Sequence, residues 1–261
     1  MQKMISQEIE SFVNNLVASN KTRTKWGTPL VGFADAKDPL FEEMKEAVRP
    51  THATPEDLLE NARTVIAYYL PFVQDIPRSN IQNYNASREW AVAYVETNQL
   101  IIDLNNHLAD ILQKHGFSTK VLPPTHNFDT EQLMADWSHK HIAYIAGLGK
   151  FGLHHMLITE KGCCGRLGSV VTDAVFPPSA RPEGQFCLGL YDGSCKVCIK
   201  KCPNGALTED TYDRHKCYEL LLENADIYEE EGLADVCGKC TSVVPCSFMN
   251  PVAKVASKKL A

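Results

Sequence analysis

A chain of 261 residues with 44% hydrophobic and 22% charged residues has an ordinary globular composition. It can bury a sizeable core in one large domain or two modest ones, which excludes a mainly disordered protein. A net charge of −6 argues against life on nucleic-acid backbones, so nucleic acid is not expected as a partner.

Residues 2–19 form an amphipathic pattern, with Ile5, Ile9, Phe12, Val13, Leu16 and Val17 on one helical face. They contain neither a signal-peptide core nor a twin-arginine pair. No apolar run approaches the roughly 20 residues that span a bilayer, so a cytoplasmic protein with no membrane partner is expected. "PLVGFAD" at 29–35 is strand-like. "ATPEDLLENA" opens a helix with Thr54 as cap, Pro55 at the first position and Glu56 and Asp57 complementing the dipole. "TVIAYYL" at 64–70 is a nearly continuous apolar run, the pattern of a buried strand. A long helix from Ser87 to His115 stops at Gly116, and "FSTKVL" is the next strand. "DTEQLMADWSHKHIAYIAG" reads as one helix ending at Gly147, and "HHMLITE" and "GSVVTDAV" as strands paired across a Gly/Cys turn. "FPPSARPEG" at 176–184 is the best boundary, with three Pro and a Gly. The expected division is an α+β cofactor- or substrate-binding domain over residues 1–180 and a cysteine-rich module over 181–261, with a helix in "DRHKCYELLLEN".

The second part carries the chemistry. "CKVCIKKCP" supplies the last three cysteines and the proline of the C-x2-C-x2-C-x3-C-P run of bacterial ferredoxins, with Asp192 where the first cysteine should stand. Ten cysteines in a cytosolic chain point to thiolates on metal, and eight of them lie from Cys187 onward, the number that two 4Fe–4S clusters require. The fourth cysteine of such a run ligates the other cluster. Cys195 and Cys198 are therefore expected to share a cluster with Cys187 and Cys246. Cys202 crosses to join Cys217, Cys237 and Cys240, with "CGKCTSVVPC" as the second run. A four-cysteine zinc site is the rival, but it leaves the CxxxCP spacing and the count of eight unexplained. Cys163 and Cys164 read as packing residues, with a replacement ligand or reactive thiol as the other option.

"GLGKFG" fits G-x-G-x-x-G literally, but it follows a helix, so the strand–loop–helix context of a dinucleotide site is absent. The order "AGLGKFGLHHMLIT", "GRLGSVVTD", CxxCxxxCP, "KCYELL", CxxC instead resembles the epoxyqueuosine reductase and reductive dehalogenase superfamily over about residues 130–247. That resemblance implies a nitroreductase-like α/β sandwich followed by a ferredoxin-like double-cluster module. It implies a base-off cobalamin between them, held by Gly147, Leu148, Gly149, Phe151, Gly152 and His154 with Arg166, Leu167, Gly168 and Thr172. No D-x-H-x-x-G loop is present to supply a histidine to cobalt.

The implied activity is reduction of a small substrate by electrons that a ferredoxin or flavodoxin donates through the clusters. Asp136, His139 and Tyr144, at helical spacing, are the candidate proton donors, with His141, His154 and His155 nearby. The chain departs from the family pattern at Leu153, where a Lys or Arg is usual, and in "LMADWSHKH", where the family's acidic stretch is unrecognisable. Only fifteen residues follow Cys246, with no room for the tRNA-binding helical repeat. These departures leave two alternatives: a cobalamin carrier or reductase serving another corrinoid protein, and a ferredoxin-like electron-transfer protein with flavin.

Overall fold

The computed structural model describes residues 1–259. Among these residues ten α-helices and eight strands follow in the order α1 (Gln2–Ser19), β1 (Leu30–Asp35), α2 (Leu40–Ala47), α3 (Pro55–Leu58), β2 (Thr64–Pro71), α4 (Asp75–Ser79), α5 (Arg88–Lys114) and β3 (Thr119–Val121). Then come β4 (Phe128–Asp129), β5 (Met134–Ala135), α6 (His139–Ile145), β6 (Gly149–Phe151), β7 (Leu157–Thr159) and β8 (Gly165–Thr172). The cysteine-rich end carries α7 (Leu188–Tyr191), α8 (Val197–Lys200), α9 (Arg214–Ile227) and α10 (Pro251–Lys259).

The main sheet has the order β1-β2-β8-β3 and is antiparallel throughout. Strand β2 lies in its middle and is buried at every position, because both faces are covered. Ile66, Tyr68 and Leu70 alternate onto one face, beneath α1 and α5. Val65, Ala67 and Tyr69 point the other way, to α2 and α6. The apolar run at 64–70 is thus the centre of a three-layered α/β/α body, a mixed α/β fold.

Caps decide several boundaries. Ser87 accepts the Trp90 N–H at the start of α5, and Gly116 leaves its end at φ +84°. Thr54 and Asp57 form a reciprocal capping box on the four-residue α3.

Two expectations fail. The 129–147 run is not one helix: Asp129 Oδ1 accepts the backbone N–H groups of Glu131 and Gln132 at 3.0 and 2.7 Å. Leu133 then turns left-handed at φ +54°, and the chain reverses into the β4–β5 hairpin. These local side-chain bonds compete with helix until Ser138, so Asp136 precedes α6 and does not share its face. "HHMLITE" and "GSVVTDAV" do not pair either: β7 pairs with β6, while β8 lies between β2 and β3. His154 and His155 sit in the turn of the β6–β7 hairpin, where Gly152 N–H reaches Met156 O at 3.1 Å.

Residues 175–186 have no helix or strand and run along β1, with Ser179 and Phe33 exchanging bonds of 2.8 and 3.0 Å. Beyond them the cysteine-rich segment folds back onto the body. Ala234 and Val236 enter the core of α1 and α5, and Lys239 Nζ donates to the carbonyls of Asn80 and Gln82. No helix among the described residues is long and apolar enough to cross a membrane.

Candidate metal and cofactor site

The eight later cysteines fall into two groups in space. Cys187, Cys195, Cys198 and Cys246 line one small cavity, and Cys202, Cys217, Cys237 and Cys240 line a second, larger one. Each set draws on both cysteine runs, because α8 turns Cys202 away from Cys198 and the loop before α10 returns Cys246 to Cys187. Burial opposes ionisation of Cys198, Cys217, Cys237 and Cys240, and their neighbours' charges add to it. It pushes Cys198 up to about 12, with Cys246 and Cys187 the nearest charges, and Cys237 up to about 11. Four crowded thiols cannot all become thiolates without a cation among them, so the donor chemistry of each set fits a multi-iron core. Lys239, buried beside Cys237, and the Tyr212 hydroxyl donating to Cys217 suit the negative charge that a thiolate-ligated cluster would retain.

Cys163 and Cys164 are both buried. The Cys164 thiol donates to Thr241 O at 3.0 Å. Cys163 lies beside the first set: with His154 and Cys246 it brings three possible ligand atoms within 4.8 Å of one another. The Cys163 thiol and the His154 ring, at 3.9 and 3.3 Å, hydrogen-bond to the Cys246 sulfur and draw its ionisation below the usual thiol range.

The larger cavity has a volume of about 410 Å3 and extends from the Cys202 set onto the α/β body. Trp90 and Tyr94 of α5, Lys140 of α6, Arg166 of β8, Arg214 of α9 and Asp235 form its walls. Tyr94 donates to Asp235 at 2.7 Å, and the Arg166 guanidinium lies 4.2 Å from the Tyr94 ring centre. The Trp90 Nε1–H is buried with no acceptor among the described residues. Burial, with Arg214 beside it, lowers Lys140 to about 8. Sequence reasoning missed Trp90, Tyr94, Lys140, Arg214 and Asp235; nothing in periodicity or spacing marks them.

Most residues expected to hold cobalamin are packed within the body. Of the ten, His154 and Arg166 line the cavity. A Cβ on Gly149 would meet Ile158 O at 2.0 Å across the hairpin, and one on Gly168 would meet the Tyr68 ring at 2.4 Å. Gly147, at φ +79°, abuts Ala180 O, and Gly152 abuts Ile158 and the His154 ring. These glycines admit neighbouring protein atoms and do not present an open cradle. Leu148 is buried, Phe151 packs on His141 and Tyr144, Leu167 packs beside the α2–α6 core, and the Thr172 hydroxyl donates to Ser118 O at 2.8 Å.

The three candidate proton donors also lie away from the cavity walls. Asp136 is held by Thr51 at 2.5 Å and by Arg49 at 3.4 Å. Tyr144 packs on Phe151 with Lys150 5.2 Å from its ring centre. His139 has both ring nitrogens engaged, Nδ1 with Ser169 Oγ at 2.9 Å and Nε2 with Pro123 O at 2.8 Å. Since Pro123 O only accepts, Nε2 carries the proton; Trp137 donates to Ser169, and Ser169 donates to Nδ1. Burial lowers His139 to about 4, so it is neutral near pH 7 with its one proton committed.

No family model matches the chain. It is 27% identical over 266 residues to an epoxyqueuosine reductase of Bacillus anthracis, covering 91% of this chain and 65% of that protein. The chain thus spans just under two thirds of this relative's length. A solved epoxyqueuosine reductase bound to an epoxyqueuosine-modified tRNA stem loop superposes with a TM-score of 0.54 at 21% identity, covering 93% of this chain and 66% of that one. A catabolic reductive dehalogenase superposes with a TM-score of 0.56 at 15% identity, covering 98% of this chain and 39% of that one. The resemblance to the epoxyqueuosine reductase and reductive dehalogenase superfamily is borne out, and the fold is shared with these structures. The tRNA stem loop held by one of them counts against setting nucleic acid aside as a partner; net charge alone was too coarse a guide.

Proposed function

We propose that this chain is an iron–sulfur oxidoreductase with two 4Fe–4S clusters, one on Cys187, Cys195, Cys198 and Cys246 and one on Cys202, Cys217, Cys237 and Cys240. In this reading residues 181–261 are the electron-transfer module, residues 1–180 bind the acceptor, and the protein works in the cytoplasm with a ferredoxin or flavodoxin as donor. The observation that carries it is the sorting of eight thiols into two sets of four, one of which opens onto the 410 Å3 cavity. Electrons leaving that set would emerge beside Trp90, Tyr94 and Arg166.

The cavity falls within the usual small-molecule range of about 300–1,000 Å3. A base-off corrinoid is the acceptor that the likeness to these reductases favours, and when bound it would supply a metal centre able to pass electrons to substrate. A group of that size would extend out of the cavity. Its residues suit part of such a group: Trp90 and Tyr94 offer flat apolar faces, while the free Trp90 N–H and the Arg166 guanidinium offer donors to its amides or phosphate. The cations Lys140, Arg166 and Arg214 would orient an anionic ligand and offset the cluster's charge. Lys140, which lines the cavity, is assigned proton donation in place of Asp136, His139 and Tyr144. A small molecule, or a modified nucleoside presented by RNA, is the substrate class in keeping with the size of the cavity and the likeness to epoxyqueuosine reductases. Leu153, uncharged where the family carries a cation, favours a second reading in which the chain binds or reduces a corrinoid for another protein.

Anaerobic reconstitution should yield about eight irons and eight sulfides per chain, and cob(II)alamin should then take on a base-off spectrum. Zinc in place of iron would overturn the cluster reading. An unchanged spectrum at saturating cob(II)alamin would overturn the corrinoid assignment. Multiple turnover of a substrate supports the enzyme; stoichiometric reduction of the corrinoid alone supports the carrier.

A further inference from the structure

His154 is 4% exposed and lines both cysteine cavities, so it stands between the two proposed cluster sites. Its ring orientation is fixed by the turn that carries it. The Met156 backbone N–H donates to Nδ1 at 3.1 Å, which makes Nδ1 an acceptor and leaves the ring proton on Nε2. Nε2 lies 3.3 Å from the Cys246 sulfur. The turn is tight: Gly152 N–H reaches Met156 O, and His155 takes φ +58°. A Cβ on Gly152 would come to 3.0 Å from the His154 ring, so glycine there leaves room for the ring.

We infer that His154 is a positioning and tuning residue, whose Nε2–H donates to the Cys246 sulfur and sets the reduction potential of the cluster held with Cys187, Cys195 and Cys198. The inference rests on the cluster reading above. A hydrogen bond to a ligating sulfur favours the reduced, more negative cluster and so raises its potential, and burial strengthens the effect by excluding water. One electron from a low-potential donor takes the cluster from the 2+ to the 1+ state. No bond forms or breaks, and the proton stays on Nε2. The other cluster receives no such donor from His154, so the bond acts on one member of the pair and biases the direction of electron flow between them.

The test uses the full, anaerobically reconstituted chain with 15N-labelled histidine. After reduction, pulsed paramagnetic resonance should detect a 15N coupling on the cluster whose signal disappears in Cys195→Ser. His154→Gln, which can present an N–H near the same place, should keep a potential closer to native than His154→Leu, which should move that cluster alone to a more negative value. Eight irons with no 15N coupling in the native chain would overturn the inference and leave the cluster reading standing. Equal potentials in native and His154→Leu protein with full iron content would also overturn it. A chain that takes up no iron would overturn the cluster reading first.

Discussion

Replacing Gly168 by alanine tests whether this glycine serves the fold or a cofactor. Gly168 lies on β8 directly opposite Tyr68 of β2, whose ring is fully buried. A new Cβ would sit 2.4 Å from the Tyr68 Cζ and Oη atoms, where about 3.4 Å or more is needed. The ring would have to move by about 1 Å in a close-packed layer, which costs about 1–3 kcal/mol. It is also tethered, because the hydroxyl donates to Asn105 Oδ1 at 2.7 Å and Asn105 in turn donates to Leu122 O at 3.0 Å. Pulling the hydroxyl from Asn105 would leave buried polar groups unpaired, for about another 1–3 kcal/mol. The expected loss is about 2–6 kcal/mol, a fall of roughly 1–2 M in the urea midpoint followed by tryptophan fluorescence. Gly27→Ala is the control: its nearest contact would be Pro71 Cγ at 3.4 Å, so its stability should stay within about 0.5 kcal/mol of native. A Gly168→Ala protein as stable as the control, yet impaired in binding cob(II)alamin, would refute the packing argument and return Gly168 to the cofactor surface.

Cys202→Ser should abolish the cluster signal that Cys217→Ser also abolishes and spare the one lost in Cys195→Ser, with Cys246→Ser showing the converse; loss of the Cys195 cluster in Cys202→Ser would show that each run binds its own cluster. His139 gives a pH dependence whose sign follows from its value of about 4 in the folded chain against an unfolded value of about 6.5. The unfolded chain binds the extra proton between these values, so this contribution is complete above pH 6.5 and lost as pH falls towards 4, at most about 3 kcal/mol. Comparing the stability of native and His139→Gln protein at pH 7 and pH 5 isolates it from the similar burial of His141, and a difference that does not change with pH would refute the neutral, bonded state of His139.

The sorting of the later cysteines was legible because it follows short spacings. Cys195, Cys198 and Cys202 lie in one run of the kind whose last cysteine crosses over, and Cys202 does lie with the other set. Helix α5 was legible for a similar reason: Ser87, Gly116 and the apolar face between them each act within a few residues. The 129–147 run was misread because its apolar residues recur at helical spacing while Asp129 and Leu133 divert the backbone locally. The glycines of "GLGKFG" and "GRLGSV" were misassigned because sequence shows that a Cβ is missing and not what occupies its place; Tyr68 lies a hundred residues before Gly168 and approaches it only when β2 pairs with β8. The cavity was the least legible feature, because it is assembled from α5, α6, β8, α9 and the loop before Cys237. In its own segment Trp90 has the spacing of an ordinary core residue, and Lys140 and Arg214 the composition of a solvated surface. Only the return of the cysteine-rich segment onto the α/β body brings the cations and the indole to one cavity. The placing of Asp235 and Cys237 opposite Lys140 therefore depends on the docking of Ala234 and Val236 into the core, and a mutation that loosens that docking will disturb the cavity and the Cys202 set of thiols together.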